Sequence, residues 1–145
     1  MNCIIVDDNK MARAATKQLV RQVDFLNLVQ ECASPIEAFN YLKKETVDLI
    51  FLDIEMPEMT GIELIKNLKQ HPLIILITAK KEYAVEAFEL NVADYIVKPV
   101  ELSRFMMAVS KAKELFDNKD LKLESNDEEK EYILFALILF LQKLK

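Results

Sequence analysis

Leu49-Ile50-Phe51-Leu52-Asp53-Ile54-Glu55-Met56-Pro57 is the stretch that decides the fold. Four consecutive apolar residues leave no polar face, as in a strand of a parallel sheet covered by helices on both sides. The run then stops on a carboxylate. A charge beside four buried residues costs free energy unless it is paired or put to use. Asp53 therefore points to a site as well as to a strand.

The same pattern extends outward in both directions. Leu73–Ile77 and Cys3–Val6 are further apolar runs, Tyr95–Val97 is a shorter one, and Leu26–Ala33 is a weaker strand centred on Leu28 and Val29. Helical patterns lie between them. Lys10–Val23 places Met11, Ala15, Leu19 and Val23 four residues apart, which predicts a helix with that face inward. Ser34-Pro35-Ile36-Glu37 and Thr60-Gly61-Ile62-Glu63 are capping boxes that open helices to about Lys44 and Lys69. Glu82–Leu90, stopped by Asn91, and Leu102–Phe116 complete the series. Five β–α units in succession predict an α/β fold with right-handed crossovers. The expected architecture is a doubly wound five-stranded parallel sheet in the order 2-1-3-4-5, flavodoxin-like.

The composition narrows the function classes. The chain has 145 residues, 52% hydrophobic and 30% charged, enough for one domain with a core. A formal charge of −5 argues against nucleic-acid binding, which needs a surplus of Lys and Arg. The first apolar run meets Asp7 and Asp8 at once and has no basic residues ahead of it, so it reads as a strand and not a signal peptide. Cys3 and Cys32, both in apolar surroundings, read as buried reduced thiols, and the expected location is cytoplasmic. His71, the only histidine, precedes Pro72 in a turn and has no catalytic partner in view.

The strand ends converge on one constellation. The first strand ends in Asp7 and Asp8, the third in Asp53, the fourth in Thr78, and the fifth in Lys98 followed by Pro99. Ligands of open α/β sheets bind beyond these carboxyl ends, near the switch point between strands 1 and 3. Each residue alone has an ordinary explanation: a helix cap for Asp7 and Asp8, a turn for Thr78, a surface cation for Lys98, packing for Tyr95. Their joint placement argues otherwise. Three carboxylates and one ammonium leave excess negative charge, and a hard divalent ion such as Mg²⁺ would balance it. With a hydroxyl and an ammonium beside it, such a carboxylate is equipped to accept a phosphoryl group.

These residues closely resemble the receiver domain of bacterial two-component response regulators. Ile4-Ile5-Val6-Asp7-Asp8, the stretch around Asp53, Gly61, Leu76-Ile77-Thr78-Ala79 and Val97-Lys98-Pro99 are its signature stretches in order, across residues 1–116. The resemblance implies that Asp53 accepts a phosphoryl group from a histidine kinase. It implies Mg²⁺ held by Asp8, Asp53 and the backbone carbonyl of Glu55, with Asp7 acting through water. Thr78 and Lys98 would bind the phosphoryl oxygens, with the Lys98–Pro99 peptide cis. Tyr95 would be the switch aromatic that turns inward as Thr78 moves. The readout would be the face of the fourth helix, fifth strand and fifth helix, through a homodimer. Such a chain performs self-phosphotransfer and autodephosphorylation and is not a turnover enzyme. Glu55 and Lys80, two residues beyond Asp53 and Thr78, are expected to pair and modulate the loss of phosphate.

A narrower resemblance, carried by Asp53–Pro57 with Glu82–Glu89, is to receivers that precede a LytTR-type DNA-binding domain in transcriptional regulators. Residues 117–131, ten of them charged, read as a solvated linker or a helix extension, and 132–145 as an apolar tail. Glu131–Phe135 resembles the first strand of that output domain, after which the likeness ends. The tail is therefore expected to be a truncated or frame-shifted output strand, or a helix that packs on this domain or a partner. Tyr132–Leu141 makes only about 15 Å of helix, half of a roughly 30 Å hydrocarbon core, so no membrane span is expected. Two other classes stay open at this point. One is a receiver-like binding module without phosphotransfer. The other is a Mg²⁺-dependent phosphohydrolase with an aspartyl nucleophile and Glu55 as general acid.

Overall fold

Residues 1–119 and 127–144 are described by the computed structural model, the side chains of 127–131 excepted. The elements alternate as β1 (Asn2–Val6), α1 (Lys10–Arg21), β2 (Asn27–Cys32), α2 (Pro35–Lys44), β3 (Leu49–Leu52), α3 (Gly61–Lys66), β4 (Leu73–Thr78), α4 (Ala84–Glu89), β5 (Asp94–Val97) and α5 (Leu102–Asp117), with α6 (Asp127–Lys143) after them. All strand pairs are parallel and the order is β2-β1-β3-β4-β5, as expected from the sequence.

The pleat sends alternate residues to opposite faces and so builds two cores. Ile4, Val6, Ile50, Leu52, Ile74 and Leu76 face one side, with Ala38 of α2, Leu64 and Ile65 of α3, and Ala84 and Ala87 of α4. Ile5, Leu49, Phe51, Ile75 and Ile77 face the other, with Val20 of α1 and Phe105, Ala108, Val109 and Ala112 of α5. Phe51 stacks on Phe105 there at 5.4 Å between ring centroids. Cys3 and Cys32 are buried and free, and they lie in opposite cores.

Local chemistry sets the helix ends. Ser34 accepts from Glu37 N and Thr60 from Glu63 N. Only Thr60–Glu63 closes the reciprocal box; Glu37 instead accepts from Ala33 N, one residue earlier. α3 ends at Lys66, short of Lys69, because the Asn67 amide donates to the Glu63 carbonyl at 2.8 Å and closes the helix. Asn91, at φ 60, follows α4 as the expected stop.

Two expectations need correction. α1 does not turn Met11 and Ala15 inward: Met11 is 84% exposed, and Thr16 and Val20 are the buried residues. The four-residue spacing drifts around a helix of 3.6 residues per turn, so only Leu19 and Val23 of that row reach the core. The charged stretch is not a linker throughout, and Glu131–Phe135 does not begin a strand, because Asp127–Lys143 is a helix. A run of ten apolar residues carries no period that separates strand from helix. A helix satisfies its own backbone, and this one has something to pack on. Leu134, Leu137, Ile138 and Leu141, spaced as one helical face, are its half-buried positions. α6 contacts α4, and Leu141 joins the core that holds Ala84, Ala87 and Tyr95. Ile133 lines a hollow with Phe88, Val92, Ala93, Lys111 and Leu115. No helix among the described residues is long and apolar enough to cross a membrane.

Candidate functional site

The register of the sheet brings the strand ends together. Val6 pairs with Leu52, so Asp7 and Asp53 leave neighbouring strands side by side, and Asp53 N donates to the Val6 carbonyl at 2.9 Å. Thr78 pairs with Val97, and Lys98 N donates to the Thr78 carbonyl at 2.8 Å. The Lys98–Pro99 peptide is cis.

Carboxylate oxygens of Asp7, Asp8 and Asp53 all lie within 4.8 Å of one another. Asp7 and Asp53 are buried, at 4% and 6% exposure, whereas Asp8 is exposed. Lys98 Nζ is 3.1 Å from Asp7 Oδ2 and 3.7 Å from Asp53 Oδ2. Asp7 Oδ1 also accepts from Asn9 N at 2.9 Å, while Asn9 caps α1 through Ala12 N. Arg13 donates to the Asp7 carbonyl at 2.7 Å. Asp7 is thus the best-satisfied of the three. Asp53 is the least comfortable: burial, and next the charge of Asp7, push its carboxyl up to about 6 against the pull of Lys98 and the Glu55 amide.

Two such charges 4–5 Å apart repel by about 3–4 kcal/mol at an effective dielectric near 20. One ammonium cannot neutralise three of them. The donors are hard oxygens with charge left over, which suits a hard divalent cation of the Mg²⁺ kind.

The approach of α3 to this corner depends on Gly61, the only glycine in the chain. A Cβ there would lie 2.4 Å from the carbonyl oxygen of Asp53 and 3.1 Å from Leu52 Cγ. Gly61 N donates to the Ile54 carbonyl at 2.8 Å and ties the helix to the strand it follows.

Lys80 links the remaining parts. Its N–H donates to Thr78 Oγ1 at 3.3 Å, its carbonyl accepts from the Tyr95 hydroxyl, and its ammonium is 2.9 Å from Glu55 Oε1. The Glu55 hydrogen bond and charge raise the Lys80 pKa. Tyr95 lies inward at 7% exposure, and burial pushes its phenol up to about 12. Among the described residues Thr78 makes no hydrogen bond to the carboxylates. Asp7, Asp8, Asp53 and Lys98 are brought together directly, while Thr78, Tyr95, Glu55 and Lys80 form an adjoining network.

Sequence reasoning valued Lys80 for its side chain and missed its backbone, which no residue type announces. It also missed Arg104. This α5 residue makes a two-pronged pair with Asp94, at 2.8 and 2.9 Å, and donates to the Tyr95 carbonyl at 3.0 Å. An Arg ten residues after an Asp was the only available signal, and a weak one.

Comparison with known proteins identifies the family. Residues 3–110 match the response regulator receiver domain family. The chain is 42% identical over 123 residues to the sensory transduction protein LytR of Staphylococcus haemolyticus, covering 83% of this chain and 48% of that protein. It is 35% identical over 122 residues to the transcriptional regulatory protein BtsR of Salmonella typhi, covering 83% and 51%. The chain therefore spans about half the length of the curated relatives it matches. Among solved structures, the response regulatory domain of mrkE from Klebsiella pneumoniae matches with TM-score 0.76 and 35% identity, over 81% of this chain and 99% of that one. The receiver domain of AraT from Geobacillus stearothermophilus matches with TM-score 0.71 and 30% identity, over 82% and 97%. In family and fold, this chain belongs to the receiver domains of two-component response regulators.

Proposed function

We propose that Asp53 is the phosphoryl acceptor of this receiver and a histidine kinase its donor. The observation that carries this is the buried Asp53 carboxylate, held with Asp7 and Asp8 within 4.8 Å and with Lys98 Nζ 3.7 Å away. A carboxylate oxygen of Asp53 attacks phosphorus, the phosphorus–nitrogen bond to the donor imidazole breaks, and the imidazole keeps the electron pair and takes up a proton. The raised pKa describes a carboxylate with surplus negative charge around it, so the further charge of a phosphoryl group would need Lys98 and a bound cation beside it.

Asp8, Asp53 and the Glu55 carbonyl are the proposed Mg²⁺ ligands, with Asp7 acting through water and holding Lys98. Bound Mg²⁺ supplies positive charge to the phosphoryl oxygens. Lys98 leaves Asp53 for a phosphoryl oxygen, and Thr78 gives up its bond from Lys80 N to meet another. The vacated space favours Tyr95 in the inward position. The event is one stoichiometric transfer followed by slow autodephosphorylation, in a cytoplasmic signalling chain. Residues 1–116 are the receiver unit in this reading, and the longer relatives named above support a LytTR-type transcriptional regulator as the full-length form. No nucleic acid is bound by this chain itself, which carries net charge −5. A homodimer through α4, β5 and α5 has to form around or in place of α6, which lies against α4.

Incubation with acetyl phosphate and Mg²⁺ tests the reading. One phosphoryl group per chain is expected by intact mass, absent in Asp53→Asn and without Mg²⁺. Uptake of phosphate by Asp53→Asn would show that the acceptor lies elsewhere. Continuous hydrolysis of a generic phosphate ester would favour a phosphohydrolase.

A further inference from the structure

We propose that α6 is the built-in ligand of the surface that carries Tyr95, so that its docking and the inward position of Tyr95 stabilise each other. Only the link to phosphorylation rests on the reading of Asp53 given above.

The docking is one-sided. Leu134, Leu137, Ile138 and Leu141 are the half-buried row of α6, while Phe135 and Phe140 on the other side are 63% and 57% exposed. Ile133, 42% exposed, lines a hollow together with Phe88 of α4, Ala93 just before β5 and Leu115 of α5. Leu141, eight residues or about 12 Å along the helix, joins the core of Ala84, Ala87 and Tyr95. The four residues of β5 span about 13 Å. The stretch from Ile133 to Leu141 is therefore about as long as β5.

Tyr95 is a member of the core on which Leu141 packs, with its hydroxyl fastened to the Lys80 carbonyl. Turning the ring outward would remove it from that core and bring it to the flank of α4 that α6 occupies. Docked α6 and inward Tyr95 therefore favour one another, and by linkage whatever strengthens one strengthens the other by the same factor. Phosphorylation at Asp53, by drawing Thr78 away from Lys80, would tighten α6 rather than release it. The active state then presents the outer face of α6, and not bare α4, to whatever reads the signal.

Hydrogen exchange of the full chain tests this. Leu137→Asp combined with Leu141→Asp is expected to speed exchange across residues 84–97 by about fivefold or more, whereas Phe135→Asp leaves it unchanged. Tyr95→Phe, which removes the hydroxyl tie to Lys80, is expected to speed exchange across residues 132–141. Unchanged protection of 84–97 in the double variant, equal acceleration by Phe135→Asp, or unchanged exchange of α6 in Tyr95→Phe overturns the proposal. A last arm adds acetyl phosphate and Mg²⁺, with intact mass read on the same sample. Slower α6 exchange in phosphorylated chain supports the coupling, and faster exchange overturns it. A chain that gains no phosphoryl mass overturns the reading of Asp53, and the variant arms then decide α6 alone.

Discussion

Lys80 Nζ stands 2.9 Å from Glu55 Oε1, joining the loop after β4 to the loop after β3. Both side chains are about half exposed, so the pair is a weak bridge that salt will loosen. It lies two residues beyond Asp53 on one side and Thr78 on the other, where the proposed acyl phosphate would be partly covered by it. Lys80→Ala is expected to speed loss of the phosphoryl group about twofold to fivefold at low salt and less at high salt, followed by release of inorganic phosphate. An unchanged rate at low salt would leave the bridge without a role.

Asp53 is held at a cost in the absence of metal. Its folded pKa of about 6 lies above the ordinary 3.8, so between about pH 4 and pH 6 the folded state binds more protons than the unfolded one. Stability therefore falls as pH rises through that window, and the full penalty is present above it. Asp53→Asn removes the charge. In Mg²⁺-free buffer at pH 7 it is expected to stabilise the chain by on the order of 2–3 kcal/mol, a gain that disappears below about pH 4. Urea denaturation at the two pH values measures it. Added Mg²⁺ is expected to stabilise the wild type and have far less effect on the variant.

Gly61→Ala places a methyl group 2.4 Å from the Asp53 carbonyl oxygen, closer than real Cβ contacts come. The obstacle is backbone and cannot rotate away, so α3 or the end of β3 must shift. A loss of about 1–3 kcal/mol is expected in a denaturant melt. Phosphorylation by acetyl phosphate is expected to slow with it, because the crowded carbonyl belongs to the proposed acceptor. A variant with native stability and rate would mean that α3 is free to retreat.

Burial pushes the Cys3 thiol up to about 12 and the Cys32 thiol up to about 11, and both are fully buried. The thiolate is the reactive form. Neither cysteine is expected to react with a disulfide reagent at pH 8 in the native chain, and both should react at once in denaturant. Rapid labelling of one thiol in the native state would show local opening of the strand that carries it.

Strand identity, sheet order and the carboxylate cluster were legible because each is written in local pattern. Leu49–Leu52 is apolar on both faces, so it had to be central, and a central strand ending in Asp53 had to deliver that carboxylate to the switch point. The inward face of α1 was less legible. Met11 is apolar, yet at the start of the helix the stripe has rotated off the core, and only packing reveals that. The helix at Tyr132–Leu141 was not legible, because ten apolar residues fit a strand or a helix equally until a neighbour decides. The backbone role of Lys80 could not be read at all, since hydrogen bonds to its amide and carbonyl depend on where Thr78 and Tyr95 lie and not on its being lysine.

The two cores have unequal duties. Tyr95 and Leu141 both belong to the core on the α2–α4 side, together with Ile62, Leu64 and Ile65 of α3, the helix that closes on the Asp53 corner. The opposite core, with Phe51 stacked on Phe105, contains none of the groups proposed to change partners. One side of the sheet is thus an anvil and the other a working surface. Repacking the Phe51–Phe105 side is expected to cost stability alone, whereas repacking the Tyr95 side is expected to shift the balance between the proposed signalling states as well.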